Sequence, residues 1–235
     1  EGMCKVARQN KGIVMSKPLT IDFVSDVVCP WCAIGLASLT RALQQLGDEV
    51  DATIRFHPFE LTPDMGSDGE YVVPYLSSKY GISPEQVAAS QAQITARGQD
   101  VGFVFDFRDD SKKWNTFKAH RLLHWAGLQG EGDQLALKQA LLLAYFTHNQ
   151  NPDDIDLLCG IATQVGLDGA AARTVLESNQ YADDVLDAEQ HWQQQGISSV
   201  PAMIFNGSHL VSGGQPEETL KKVIRDVVRM SEAIN

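Results

Sequence analysis

Leu19-Thr20-Ile21-Asp22-Phe23-Val24-Ser25-Asp26-Val27-Val28-Cys29-Pro30-Trp31-Cys32 is the stretch on which the reading of this 235-residue chain turns. Leu19 to Val24 is rich in β-forming residues with partial alternation and reads as a strand. Ser25 to Val28 then carries the chain into a Cys-x-x-Cys pair. From Pro30 onward Trp31, Ile34, Leu36, Leu39, Leu43 and Leu46 keep mostly helical spacing, and Gly47 marks the stop. Proline suits the first helical turn, where its missing N–H would have had no partner.

Cys29 therefore lies at the mouth of a strand-to-helix turn, with Cys32 one turn inside the helix. At this spacing two cysteines can close a small disulfide ring without moving the chain. The helix N-terminus offers unpaired N–H groups and the positive end of the dipole, both of which favour a thiolate on Cys29. Cys29 is the expected nucleophile, and Cys32 the more buried sulfur that attacks a mixed disulfide from behind. A zinc site is the competing reading, but zinc wants a second ligand pair at similar spacing, and Cys4 and Cys159 stand alone. A purely structural pair is less consistent with Pro30 and Trp31 between the cysteines in a strand-to-helix setting.

Outward from this motif, Val50, Ala52, Ile54 and Phe56 alternate with polar residues, giving a second strand and an opening β-α-β unit. Helical patterns then follow at about 70–80, 84–98, 112–127, 132–148, 153–165, 168–177 and 179–195. Ser83-Pro84-Glu85-Gln86 and Asn151-Pro152-Asp153-Asp154 read as helix starts, while Gly81, Gly127 and Gly166 sit where helices should end. Gly102 to Phe107 interrupts the series as a short extended piece whose apolar residues pack on the helices. After Gly196, β character returns at Val200 to Phe205, Asn206-Gly207 signals a hairpin, His209 to Val211 forms its second strand, and Pro216-Glu217-Glu218 opens a last helix. Local sequence leaves the isomer of the Val200-Pro201 bond open, because proline is also tolerated at the first residue of a strand.

Three blocks, Ser25 to Cys32, Asn115-Thr116-Phe117-Lys118-Ala119-His120-Arg121-Leu122 and Gly196-Ile197-Ser198-Ser199-Val200-Pro201-Ala202, together resemble the FrnE-type branch of the DsbA family. The likeness extends from about residue 18 to 230. It implies an α/β chain with a thioredoxin fold, a mixed sheet interrupted by a large all-helical insertion. The thioredoxin-like part would comprise 18–64 and 196–235, the insertion 65–195, and residues 1–17 an N-terminal leader. The resemblance also implies an exposed nucleophile at Cys29, a resolving thiol at Cys32, a Cys29-Pro30-Trp31-Cys32 redox motif and a cis Pro201. Val200 would offer its backbone to an extended substrate segment. Pro-Trp stands where DsbA has Pro-His, so an imidazolium cannot help stabilise the thiolate and the redox direction stays open. Many thioredoxin relatives carry a buried acid six residues before the nucleophile. That position is Phe23 here, with Asp22 and Asp26 on either side.

The expected activity is thiol-disulfide exchange with protein thiols or small thiols such as glutathione, needing no cofactor or metal beyond glutathione as a co-substrate. A glutathione-dependent transferase or isomerase, of the kappa-class or 2-hydroxychromene-2-carboxylate isomerase type, is the alternative from the same structural neighbourhood. Such an enzyme has no use for Cys32. A non-catalytic peptide-binding or chaperone-like module is a third reading. Hydrophobic and charged residues at 43% and 21% match a soluble globular protein, and a net charge of −11 without any basic stripe argues against nucleic acid and anionic membranes. No apolar run approaches the roughly 18 residues of a membrane helix, and the first residues lack a secretory h-region, so a cytoplasmic location is expected. His120 and His124, four apart on a helix, lack the glutamate of a zinc motif and are read as packing polarity. His57, His148, His191 and His209 receive no role. Trp114, Trp125 and Trp192 are read as core or rim of the helical part, and Cys159 as a small buried hydrophobe.

Overall fold

The computed structural model describes residues 16–234. Strands β1 (Lys17–Ser25) and β2 (Val50–Pro58) run parallel from Lys17 opposite Val50 to Ser25 opposite Pro58. Helix α1 (Pro30–Leu46) supplies the crossover that a parallel pair requires. A two-residue pair, β3 (Glu70–Tyr71) and β4 (Lys112–Lys113), lies apart from the main sheet. Strands β5 (Ala202–Phe205) and β6 (His209–Ser212) complete a mixed four-stranded sheet in the order β2-β1-β5-β6, with β5 antiparallel to both neighbours. Asn206 and Gly207 join them, both at positive φ (47° and 66°), as the Asn-Gly signal requires.

Strand β1 is central, and Leu19, Ile21, Phe23 and Val24 are all buried. Helix α1 contributes Ile34, Leu36, Leu39, Ala42 and Leu46 to the cluster that holds Leu19, Ile21 and Phe23, whereas Val24 faces a smaller one with Ile197 and Ile204. The last helix, α9 (Glu217–Ile234), lies beside it through Leu220, Ile224, Val227 and Val228. Seven helices stand between β2 and β5: α2 (Val72–Tyr80), α3 (Pro84–Val101), α4 (Phe117–Gln129), α5 (Glu131–Phe146), α6 (Ile155–Gln164), α7 (Gly169–Glu177) and α8 (Ala182–Gln194). Leu122, Leu137, Leu141 and Leu158 from these helices join Ile21 and Leu39 in one continuous hydrophobic cluster. The inserted helices thus share their core with the sheet.

Several local expectations need correction. The helix expected over 112–127 begins only at Phe117, because Lys112 and Lys113 pair with Tyr71 and Glu70 as strands. Gly127 does not end that helix, which runs on to Gln129. A Cβ at 127 would come within 2.8 Å of the Gln134 amide, so glycine is there for the approach of α5. Helix α6 is capped by Asp154, whose carboxylate accepts from the Leu157 N–H at 3.0 Å, rather than by Asn151. Ser83 and Gln86 do form a reciprocal capping box at the start of α3. The Gly102–Phe107 piece pairs with no strand. Its three phenylalanines pack around Phe146, and the Asp106 N–H donates to the Phe146 carbonyl at 2.9 Å.

Gly98, inside α3, is where this aromatic piece folds back. A Cβ there would stand 2.5 Å from the Phe105 ring and 2.6 Å from the Phe103 carbonyl oxygen. Gly98→Ala should therefore destabilise the protein by about 1–3 kcal/mol through overpacking, despite alanine's better helix propensity. Chemical denaturation of the two proteins measures this difference.

Candidate active site

Cys29 is the N-terminal cap residue of α1 and has extended backbone geometry. The N–H groups of Cys32 and Ala33 donate to its carbonyl at 3.1 and 3.3 Å, closing the first helical turn on it. Across from it the Val200–Pro201 bond is cis, and the Cys29 thiol donates to the Val200 carbonyl at 3.7 Å. Two glycines permit this closeness. A Cβ at Gly35 would lie 3.0 Å from the Met203 side chain and 3.2 Å from Pro201, and one at Gly214 would lie 3.1 Å from the Trp31 carbonyl. The structure thus brings Cys29, Pro30, Trp31, Cys32, Val200 and Pro201 to one place. One correction concerns exposure: Cys29 is 4% exposed, because the insertion closes over it, and Trp31 is the exposed member of the motif.

The two thiols differ in acidity. The hydrogen bond from the Cys32 thiol, aided by the Cys32 N–H and the Lys113 charge, brings Cys29 below the ordinary thiol value against its burial and the nearby Asp26. Burial pushes Cys32 well above that value, and Cys29 adds to the rise. Both are free thiols in this structure.

Around them lie charges that the sequence reading did not assemble. Asp26 is fully buried, with Oδ1 3.3 Å from His120 Nε2 and Oδ2 accepting from the Leu61 N–H at 2.8 Å. Burial alone would raise its carboxyl, but the hydrogen bonds and charge from His120, with Leu61 and Lys138, outweigh burial and hold it below the usual carboxylate value. Burial also lowers His120, more than its hydrogen bond and charge pairing with Asp26 raise it. Lys113 is buried and donates to the Val28 carbonyl at 2.9 Å. Lys138, 1% exposed, stands 5.9 Å above the Phe56 ring. Burial lowers both ammonium groups, and the charges of Asp26 and the two thiols oppose that fall. Lys138 carried a visible signal, since it interrupts the run Gln134, Leu137, Leu141 on the buried face of α5. His120 had its signal in the second sequence block, yet only tertiary contact supplies Asp26 as its partner. Asp22, the other acid considered, instead faces His57 at 2.8 Å in a partly exposed pair.

A cavity of about 350 Å³ opens directly from Cys29, bounded by Val28, Trp31 and Val200 on the sheet side and by α2, α3 and Phe107 on the insertion side. Beyond Asp26, Glu60 and Glu189 keep one buried carboxylate oxygen each without a hydrogen-bond partner. Burial, then Glu189, Asp26 and Asp64, push Glu60 up to about 8, and burial with Asp26 pushes Glu189 up to about 7.

Other readings are settled by place. Cys159 is buried in α6, Trp125 is buried, and Trp192 packs with Val200 in a small cluster on the far side of β1. Cys4 and most of the proposed leader lie outside the described residues. Among the described residues no group of three or more His, Cys, Asp or Glu side chains is arranged to hold a metal ion, and no helix is long and apolar enough to cross a membrane.

A β-α-β unit and a β-β-α unit on one mixed sheet, with a Cys-x-x-Cys at the start of α1 facing a cis proline, define a thioredoxin-fold protein. More particularly, residues 20–225 match the family model of the DSBA-like thioredoxin domain, and the chain belongs to that family. It is 28% identical over 207 residues to the uncharacterized protein YwbO of Bacillus subtilis, covering 88% of this chain and 96% of that one. The crystal structure of a Streptomyces coelicolor protein described as a probable DsbA oxidoreductase superposes with a TM-score of 0.81 at 30% identity, over 89% of each chain. A 2-hydroxychromene-2-carboxylate isomerase shares the fold, with a TM-score of 0.70 at 17% identity over 92% of this chain and 99% of that one.

Two outcomes follow from the charges. Asp26 opposes ionisation of Cys29, so Asp26→Asn, which keeps an acceptor for Leu61, should shift the Cys29 thiolate titration to lower pH, read by ultraviolet thiolate absorbance. Glu60 holds in the folded state a proton that the unfolded chain releases near 4.5, so this group costs stability progressively as pH rises from there to about 8. Glu60→Gln should accordingly raise Tm at pH 8 and change it little at pH 5, and an equal change at both would contradict this assignment.

Proposed function

We propose that this protein is a thiol-disulfide oxidoreductase that cycles between a Cys29–Cys32 dithiol and disulfide with protein or small-molecule thiols. The observation that carries this reading is the placement of the cysteines: Cys29 caps α1 with its thiol against the Val200 carbonyl beside cis Pro201, and Cys32 lies buried in the first turn. The acidities divide in the same way: the hydrogen bond from the Cys32 thiol lowers Cys29, and burial raises Cys32. The first is suited to attack and the second to wait until a mixed disulfide has formed.

In the reducing direction the Cys29 thiolate attacks one sulfur of a partner R–S–S–R′, forming Cys29–S–S–R and releasing R′S⁻. Cys32 then loses its proton and attacks the Cys29 sulfur, forming the Cys29–Cys32 disulfide and expelling RS⁻. Two electrons pass from the dithiol to the partner, and the reverse sequence oxidises two partner thiols. The electrons balance without metal or organic cofactor, and glutathione can serve as a small-thiol partner. Asp26, buried and acting by its charge on Cys29, is the group to which this reading assigns the Cys32 proton. The Val200 carbonyl, held against the Cys29 thiol, is the backbone group positioned to align an incoming segment. A cytoplasmic setting is part of the proposal. A glutathione-dependent isomerase or a peptide-binding module would leave Cys32 without a task.

Equilibration in glutathione redox buffers, followed by Trp31 fluorescence and thiol trapping, tests the proposal. A reversible two-electron transition should appear and vanish in both Cys29→Ser and Cys32→Ser. Cys32→Ser should accumulate a mixed disulfide on Cys29 that Cys29→Ser cannot form. Absence of the internal disulfide, or activity that persists without Cys32, would favour the isomerase reading.

A further inference from the structure

We propose that the cavity beside Cys29 receives the apolar body of a low-molecular-weight thiol or disulfide, such as an aryl-alkyl or branched alkyl group attached to the reacting sulfur. This deepens the oxidoreductase reading and rests on it. At about 350 Å³ the cavity falls within the range of roughly 300–1,000 Å³ usual for small-molecule sites. Cys29 lines it, so a substrate whose sulfur meets Cys29 has its substituent within reach of the chamber.

The walls decide the chemistry. Leu76, Val87, Ile94 and Phe107 supply apolar surface from α2, α3 and the following loop. The buried polar side chains on the lining are already engaged with the protein, while Ser90 and Gln91 add polar groups from α3. The Lys113 ammonium donates to the Val28 carbonyl at 2.9 Å, the Tyr145 hydroxyl to the Lys112 carbonyl at 2.9 Å, and the Asn149 amide to the Asp106 carbonyl at 2.7 Å. A peptide or a polar tripeptide body placed against the apolar walls would lose water and gain few matching partners there, which is unfavourable, whereas an apolar body loses nothing by it. Helices form the roof, and their backbone groups are spent within the helices, so that wall has no free ladder for an extended chain. The backbone group aimed at the thiol is on the opposite wall, at Val200.

The step is an ordinary exchange. The Cys29 thiolate attacks the sulfur that bears the apolar group R in R–S–S–R′, the S–S bond breaks and R′S⁻ leaves. Cys29–S–S–R then holds R in the cavity. Attack by Cys32 on the Cys29 sulfur releases RS⁻ and leaves the Cys29–Cys32 disulfide, so the substrate is reduced by two electrons and the dithiol oxidised.

The experiment measures second-order rates of the reduced full chain with dibenzyl disulfide, bis(2-hydroxyethyl) disulfide and a short peptide disulfide without large apolar side chains. Each rate is divided by that of dithiothreitol with the same reagent, which removes intrinsic reactivity. The normalised rate for the benzyl reagent should exceed the hydroxyethyl one by on the order of tenfold or more. Ser90→Trp, an exposed position on α3 at the cavity, and Leu76→Gln should each bring that ratio down toward one. A ratio near one in the unaltered protein, a ratio that neither variant changes, or a peptide reagent faster than the benzyl one overturns the proposal while leaving thiol exchange intact. Rates at or below background with all three reagents would instead remove the oxidoreductase reading itself.

Discussion

The site depends on how closely the first turns of α1 approach the segment around Pro201. Strand β1 leads into α1 and also pairs with β5, so both sides of the site hang from one buried strand. The gap between them is narrow enough that Gly35 has no room for a methyl group without pressing on Met203 and Pro201. A methyl group there would require Met203 or Pro201 to give way by a few tenths of an ångström, at the contact that holds α1 against the Pro201 segment. Packing at this one contact therefore sets the chemistry, because thiol exchange needs sulfur atoms in line.

The second constraint is electrostatic. Asp26, Lys113 and Lys138 are all buried near the two thiols, and removing charges from water is costly unless they compensate one another. Here each is partly answered: Asp26 by Leu61, His120 and Lys138, Lys113 by the Val28 carbonyl and the Asp26 charge, and Lys138 by the charges of Cys32 and Asp26. These charges lie on three different segments and act on one another and on the thiols, so a change at one member is felt at the thiols. Glu60 and Glu189 extend the same acidic field outward, where partial burial makes them hold protons near neutrality.

The inserted helices do more than cover the sheet. They join its hydrophobic cluster, supply His120 and Lys138 to the thiol environment beside Lys113 of β4, and form one side of the cavity at Cys29. That enclosure explains why Cys29 is buried here, although the first cysteine of such a motif was expected to be open.

The amino-acid sequence by itself determined the local pieces: the strand into Cys29, the helix that starts at Pro30 and stops at Gly47, the Asn206-Gly207 hairpin and the Ser83 capping box. These depend on side-chain period, backbone φ preference and neighbours a few residues away, all of which are written along the chain. It failed at Lys112 and Lys113, where pairing with Glu70 and Tyr71 overrides helical pattern, and at Gly127, whose reason is Gln134 on another helix. Only the tertiary structure decided which acid lies beneath the thiols, since Asp22 and Asp26 look alike in sequence. One meets His57 at a partly exposed edge and the other meets His120, 94 residues away, in the interior. Burial, charge compensation and cavity shape are sums over contacts between distant segments, and folding is what brings those segments together.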